Sequence, residues 1–317
     1  MVKPKWDLPL PRYDSETNTI MRLYTQALAE MLVLVETLST RGDVNREITI
    51  QQQNAVIAQI AVIMTSLDRD VESQVRRMIE DAFFDGQVDT LIALGEAATI
   101  AEARAIVGAT TMSGLATATI AATVADTFED LMYANNKMKR ESIRMVRAVV
   151  AENMKTKAIQ GEGANSTSRA IIAAISKKEL RERFNVEGNV AIIDKAGRRW
   201  KNDVYAKMVV RTKMLQSHTE GIRVQAVDRG IDLAIISSHG AKDACRHFEG
   251  QIVSLNGATE GFITYEELRR SNLIFHPNCK HRVTPIRDVS LLPPAVRKQF
   301  EDGKKKAKQS LQAQKRK

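Results

Sequence analysis

Both cysteines of the chain, Cys245 and Cys279, and four of its five histidines, His239, His247, His276 and His281, fall between Ser237 and Ile286. They form two clusters, S-S-H-G-A-K-D-A-C-R-H-F-E-G and F-H-P-N-C-K-H-R-V-T-P-I. Imidazole and thiolate are zinc donors, and zinc takes four of them, commonly delivered as two short-spaced pairs that the fold brings together. The first cluster offers His239 and Cys245 across a turn; the second offers Cys279 and His281, with His276 three residues upstream of Cys279. Pro277-Asn278 suits a tight bend that lets near neighbours converge on one point. The bland alternative is a pair of buried small apolar thiols with hydrogen-bonded histidines around them. The expectation is one structural Zn2+ held by four of His239, Cys245, His276, Cys279 and His281.

A catalytic reading uses the same residues. Asp243, Glu249 and Asn278 beside the cluster would equip a metal-dependent hydrolase or nuclease. Such an ion needs an open coordination position and a nearby base, whereas here more than enough protein donors compete to close the site. The chain has no H-E-x-x-H, no G-x-S-x-G and no phosphate-binding glycine loop. A structural metal is the preferred reading.

The elements that must position these donors are mostly helical. Apolar residues at three- and four-residue spacing predict a helix from Ser15 to about Thr40, on Ile20, Leu23, Tyr24, Leu28, Met31, Leu32 and Val35. A second runs from Arg46 to Phe84, on Val56, Ile60, Ile63, Leu67, Val71, Val75 and Met78. Glycines at 86, 95, 108 and 114 predict shorter helices or a corner. Helical spacing returns from Thr117 to Lys157 and, after Gly161-Glu162-Gly163, from Asn165 to about Phe184. A hairpin follows, Asn189–Ile193 against Arg198–Lys201, then a helix over Val204–Arg229. Short strands at Ile231–Ser237, Gln251–Leu255 and Arg282–Ile286, with a helix at Tyr265–Ser271, frame the Cys/His clusters. The expected class is α+β, predominantly helical: a long helical N-terminal region, then a small metal-stapled α+β domain. The expected division is an extended arm over 1–13, a helical domain over 14–160, the α+β domain over 161–290 and a basic tail over 291–317.

The net charge of +9 favours a polyanionic neighbour, but it is concentrated. Lys304, Lys305, Lys306, Lys308, Lys315, Arg316 and Lys317 stand without an acid among them, leaving the rest of the chain near +2. This end reads as a solvated tail able to neutralise DNA phosphates without reading sequence. The first dozen residues, with prolines at 4, 9 and 11, read as an arm that stays disordered or lies across a partner. They lack the apolar core of a signal peptide, and no run is long and apolar enough for a membrane span.

A resemblance rests on Ala206-Lys207-Met208-Val209-Val210-Arg211-Thr212, Asp228-Arg229-Gly230, Ser237-Ser238-His239-Gly240-Ala241-Lys242, Phe248-Glu249-Gly250-Gln251-Ile252 and Pro277-Asn278-Cys279-Lys280-His281. In these motifs the chain resembles bacteriophage minor capsid and head-morphogenesis proteins related to the F protein of phage Mu. The likeness is close over about 163–286 and only general over the helical N-terminal half. It implies a structural virion protein at the capsid interior or portal vertex, assembled in a bacterial cytoplasm. Its implied partners are the portal protein, other head proteins and packaged double-stranded DNA. It also makes Cys245 and Cys279 the leading metal ligands, with two of the three histidines His239, His276 and His281 completing the set. An accessory DNA-binding role in the head is the remaining alternative.

Overall fold

The apolar stripes become long helices. The computed structural model describes residues 5–40, 50–160, 191–193 and 197–315, together with 182 and 189. Among them α1 spans Asp14–Thr40, α2 Ile50–Ala93, α3 Ile100–Ala109 and α4 Gly114–Gln160. A minimal antiparallel hairpin follows, β1 Ile192–Ile193 against β2 Arg199–Trp200, and then α5, Asn202–Val227. The rest is β3 Leu233–Ile236, β4 Ile252–Ser254, β5 Ile263–Thr264, α6 Tyr265–Ser271, β6 Val283–Pro285 and α7 Pro294–Lys315. The chain is predominantly helical, with its strands confined to the C-terminal part, as the residue pattern predicts. The helix expected over 165–184 lies almost wholly outside the described residues.

The chain divides into two compact units. One gathers Ser15–Val75 and Thr127–Val209. Its helices bury the expected stripes: Ile20, Tyr24, Met31 and Val35 on α1, Ile60, Leu67, Val71 and Val75 on α2, and Leu131, Met138 and Val146 on α4. Met64, not the expected Ile63, takes the fully buried position on α2.

The other unit gathers Met1–Asp14, Arg76–Asp126 and Val210–Lys317 and contains both Cys/His clusters. Its sheet has the order β5-β4-β3-β6, with β5 parallel to β4 and the other pairs antiparallel. Both faces of β3 are covered, so its sequence L-A-I-I is apolar throughout and does not alternate. Ala234 and Ile236 face a cluster with Ile222 and Ala226 of α5, Phe248, Tyr265, Leu268 and Phe275. Ile235 faces another with Ile252, Ile286, Leu292 and Phe300.

Three expectations are corrected in this unit. The glycine at 86 does not break α2, which runs on to Ala93. A Cβ at Gly86 would lie 2.0 Å from the His218 carbonyl oxygen, and one at Gly221 would lie 2.1 Å from that of Phe83. The two glycines let α2 and α5 approach backbone to backbone. The arm is no free extension either: Lys5 N–H donates to the Ala93 carbonyl at 3.0 Å, and Trp6 and Leu8 pack on the unit's own apolar clusters.

The basic end is no solvated tail. Residues 294–315 form α7, which buries Phe300, Ala307 and Leu311. Three apolar residues spaced by seven and four amid lysines escape a reading by composition, yet they are a helical stripe. Gly303 belongs to the same docking: the Gln251 side chain passes 2.3 Å from where its Cβ would stand and donates to the Phe300 carbonyl at 3.3 Å.

Candidate metal centre

Register brings the two clusters together. β3 pairs with β6 so that Ile236 lies opposite Val283, and Ser237 N–H donates to the Arg282 carbonyl at 2.9 Å. The loop leaving β3 therefore faces the residues entering β6. Asp243 ends that loop by capping a 3-10 turn, Ala244–His247, its carboxylate accepting from Cys245 N–H at 3.1 Å. The turn presents Cys245 towards the second cluster. There Cys279 N–H donates to the His276 carbonyl at 2.9 Å, closing the H-P-N-C bend, with Asn278 in the left-handed region at φ 63°. Asn278 N–H donates to Thr212 Oγ1 at 3.2 Å, so α5 braces the bend.

Two donor groups meet at Cys245: Cys245, Cys279 and His281 lie within 4.8 Å of one another, and so do Cys245, His276 and Asp243. The Cys245 and Cys279 sulfurs lie 3.8 Å apart. His276 Nε2 is 3.1 Å from the Cys245 sulfur, and His281 Nδ1 is 3.2 Å from that of Cys279. Zinc–sulfur bonds of about 2.3 Å at a tetrahedral angle put two sulfurs about 3.8 Å apart, which is the separation found. Both thiols are buried, with Cys245 2% and Cys279 8% exposed.

The histidines are turned to offer opposite nitrogens. His276 Nδ1 lies 2.9 Å from the Pro277 carbonyl oxygen, an acceptor, and this contact turns Nε2 towards the Cys245 sulfur. His281 Nε2 lies 3.1 Å from Glu249 Oε1, again an acceptor, which leaves Nδ1 to face sulfur. Asp243 Oδ2, 3.3 Å from His276 Nε2, adds a negative charge at the more open side. Two thiols and two outward-anchored imidazoles fit the donor set of a closed zinc site.

The electrostatics fit a cation as well. The Cys245 thiol donates to Cys279, and with His281 beside it this holds the Cys279 thiol well below its ordinary range despite burial. Phe275 N–H also points at the Cys279 sulfur, at 3.3 Å. The same contact with Cys279, together with burial, pushes Cys245 up. Burial would lower His281, but Cys279 and Glu249 outweigh it and raise it. A cation bound between the sulfurs would displace the proton they share, so binding would release a proton.

Each expected ligand can now be placed. Cys245, Cys279 and His281 come together, and His276 reaches Cys245 on the side it shares with Asp243. His239 lies to one side: its ring packs against His281 at 4.1 Å between centroids, tilted by 34°, and its Nδ1 is 3.9 Å from Glu249. His247 is drawn to α7, its Nδ1 2.7 Å from Ser310 Oγ. Of the basic residues, Lys305, Lys306 and Lys308 are exposed, whereas Lys304 sits over the rings of Phe262 and Phe300 at 5.9 and 5.2 Å. Lys315 ends α7, and Arg316 and Lys317 lie outside the described residues.

The sequence family described as phage minor capsid protein 2 matches residues 11–317. The chain belongs to that family. It is a phage head protein and a virion component, in keeping with the resemblance carried by the Cys/His motifs. No curated protein and no solved structure matches the chain. Among the described residues no single helix is long and apolar enough to cross a membrane.

Arg282, and the contacts of Glu249, escape a reading of isolated residues. Glu249 accepts from His239 N–H and Ala241 N–H at 2.9 and 3.0 Å and meets His281 at 3.1 Å, all three through Oε1. Arg282 is 1% exposed and donates to Asp89 at 2.7 Å, and Asp89 also meets His218 Nε2 at 3.1 Å. A buried Arg–Asp–His group has no local signal, because its members lie far apart in sequence. Arg211 pairs with Asp14.

Proposed function

We propose that the chain is a structural minor capsid protein of the portal vertex, facing packaged double-stranded DNA. In this reading its α+β part is stapled by one Zn2+ on Cys245, His276, Cys279 and His281. When bound, the ion supplies a redox-inert cross-link between the β3 exit and the β6 entry. The observation that carries the reading is the placing of two buried sulfurs 3.8 Å apart, each met by a histidine nitrogen, at 3.1 and 3.2 Å. Four protein donors fill a tetrahedral ion, which favours a structural role over hydrolysis.

Short strands give this α+β part little ladder to rely on, and a zinc cross-link is a large increment, on the order of 10 kcal/mol or more in small zinc peptides. Membership of a minor capsid family and the Mu-related motifs support placement in the head, and portal proximity extends that placement. The exposed Lys305, Lys306 and Lys308 on α7 favour a sequence-independent contact with DNA phosphates. A virion map resolved without imposed symmetry tests the assignment. Density for this chain at the portal vertex supports it; density on the outer shell or in the tail tip contradicts it.

A further inference from the structure

Glu249 stands directly behind the proposed metal centre and is bound to it through one atom. The inference rests on the zinc reading above and concerns how His281 is presented. An imidazole binds a metal through either nitrogen, and the choice is set by the partner of the other one. Nδ1 and Nε2 of His281 lie on opposite sides of the ring, so the choice fixes which side of the loop faces the ion. We infer that Glu249 is a positioning residue that selects Nδ1 of His281 as the ligating nitrogen and ties the loop leaving β3 to metal occupancy.

The geometry is specific to one carboxylate oxygen. Glu249 Oε1 accepts His281 Nε2–H at 3.1 Å and also the N–H groups of His239 and Ala241 at 2.9 and 3.0 Å. His281 is 4% exposed, so no bulk water offers Nε2–H a substitute acceptor. The backbone places the carboxylate: Gly250 N–H donates to the Ile236 carbonyl at 3.1 Å with φ 72°, a conformation that suits glycine and fixes the residue before it at the mouth of β4.

The grouping also settles a competition. His239, Glu249 and His281 lie close enough to suggest an ion of their own. That ion would need His281 Nε2, the nitrogen whose proton Glu249 holds. One ring cannot keep that proton and ligate through the same atom. His239 is therefore a packing partner of His281, and its backbone N–H, not its ring, is what Glu249 grips.

The test compares the full-length chain with Glu249→Ala and Glu249→Gln by zinc competition against a chelator and by nitrogen-15 NMR of the histidine rings. In the zinc-loaded wild type, His281 should show a metal-bound Nδ1 and a protonated Nε2, with His276 the reverse. Glu249→Ala should weaken zinc about 10- to 100-fold and mix the His281 tautomers while His276 keeps its pattern. Glu249→Gln retains an oxygen acceptor and should recover most of the affinity and the single tautomer. It also serves if the alanine variant does not fold. Ligation of His281 through Nε2 in the wild type, or an alanine variant with unchanged affinity and tautomer, overturns the inference while leaving the zinc reading intact. A full-length chain that binds no zinc overturns both.

Discussion

Asp232 shows how a single polar side chain holds a loop in this fold. Its carboxylate accepts from Ser254 Oγ at 2.6 Å, Asn256 N–H at 2.8 Å and Thr259 N–H at 2.9 Å, pinning the turn after β4 beside the start of β3. Burial opposes ionisation, but these donors outweigh it and hold the carboxyl below its usual range. A group depressed on folding contributes stability that is fully present above its unfolded pKa, about 4 for aspartate, and is lost as pH falls through the lower folded value. Asp232→Asn should therefore lower the urea midpoint at pH 7 and narrow the gap between the pH 7 and pH 3 midpoints. An unchanged gap would show that the loop draws nothing from the charge. Arg282, buried beside β6, donates from one guanidinium nitrogen to Asp89 at 2.7 Å while its Nε finds no partner among the described residues, and the linear sequence gives no reason to pair the two residues.

At the scale of elements, α2 and α5 meet through glycine. Gly221→Ala would drive a Cβ to 2.1 Å from the Phe83 carbonyl oxygen, so the helices must separate along their contact. Overpacking of this kind costs about 1–3 kcal/mol, and more where backbone must move. Gly108 in α3 has nothing within 4 Å of the same position. There alanine should add about 0.5–1 kcal/mol through helix propensity alone. Thermal melts of the two variants should move in opposite directions, and a neutral Gly221→Ala would sink the close-contact account. The pair also shows what was legible in the sequence. Helices with continuous apolar stripes follow from periodicity because burial imposes it, whereas strands Ile252–Ser254 and Val283–Pro285 are buried throughout and show only as short segments between turns. Gly86 was misread as a break because close helix approach depends on a partner distant in sequence. Strand β5, Ile263–Thr264, was missed because two residues carry no period. The Cys and His donors are legible by type. Their selection from five candidates is not, since it depends on how β3 registers against β6.

For the molecule as a whole, the basic C-terminal segment carries both fold and charge. Removing 293–317 would strip Phe300, Ala307 and Leu311 from two apolar clusters, so the truncated chain should lose several kcal/mol of stability. Replacing Lys305, Lys306 and Lys308 with Gln changes only exposed positions. That variant should melt within a few degrees of wild type yet bind duplex DNA more weakly, with a shallower salt dependence and no altered sequence preference. Equal DNA affinity at low salt would assign the lysines to solubility alone. The central claim is the zinc staple itself. Its most direct measurement is zinc stoichiometry on the purified full-length chain, combined with X-ray absorption at the zinc edge. The account predicts one zinc per chain with two sulfur and two nitrogen donors, lost in Cys279→Ser. A chain free of stoichiometric metal, or a zinc shell of oxygen donors without sulfur, would contradict it.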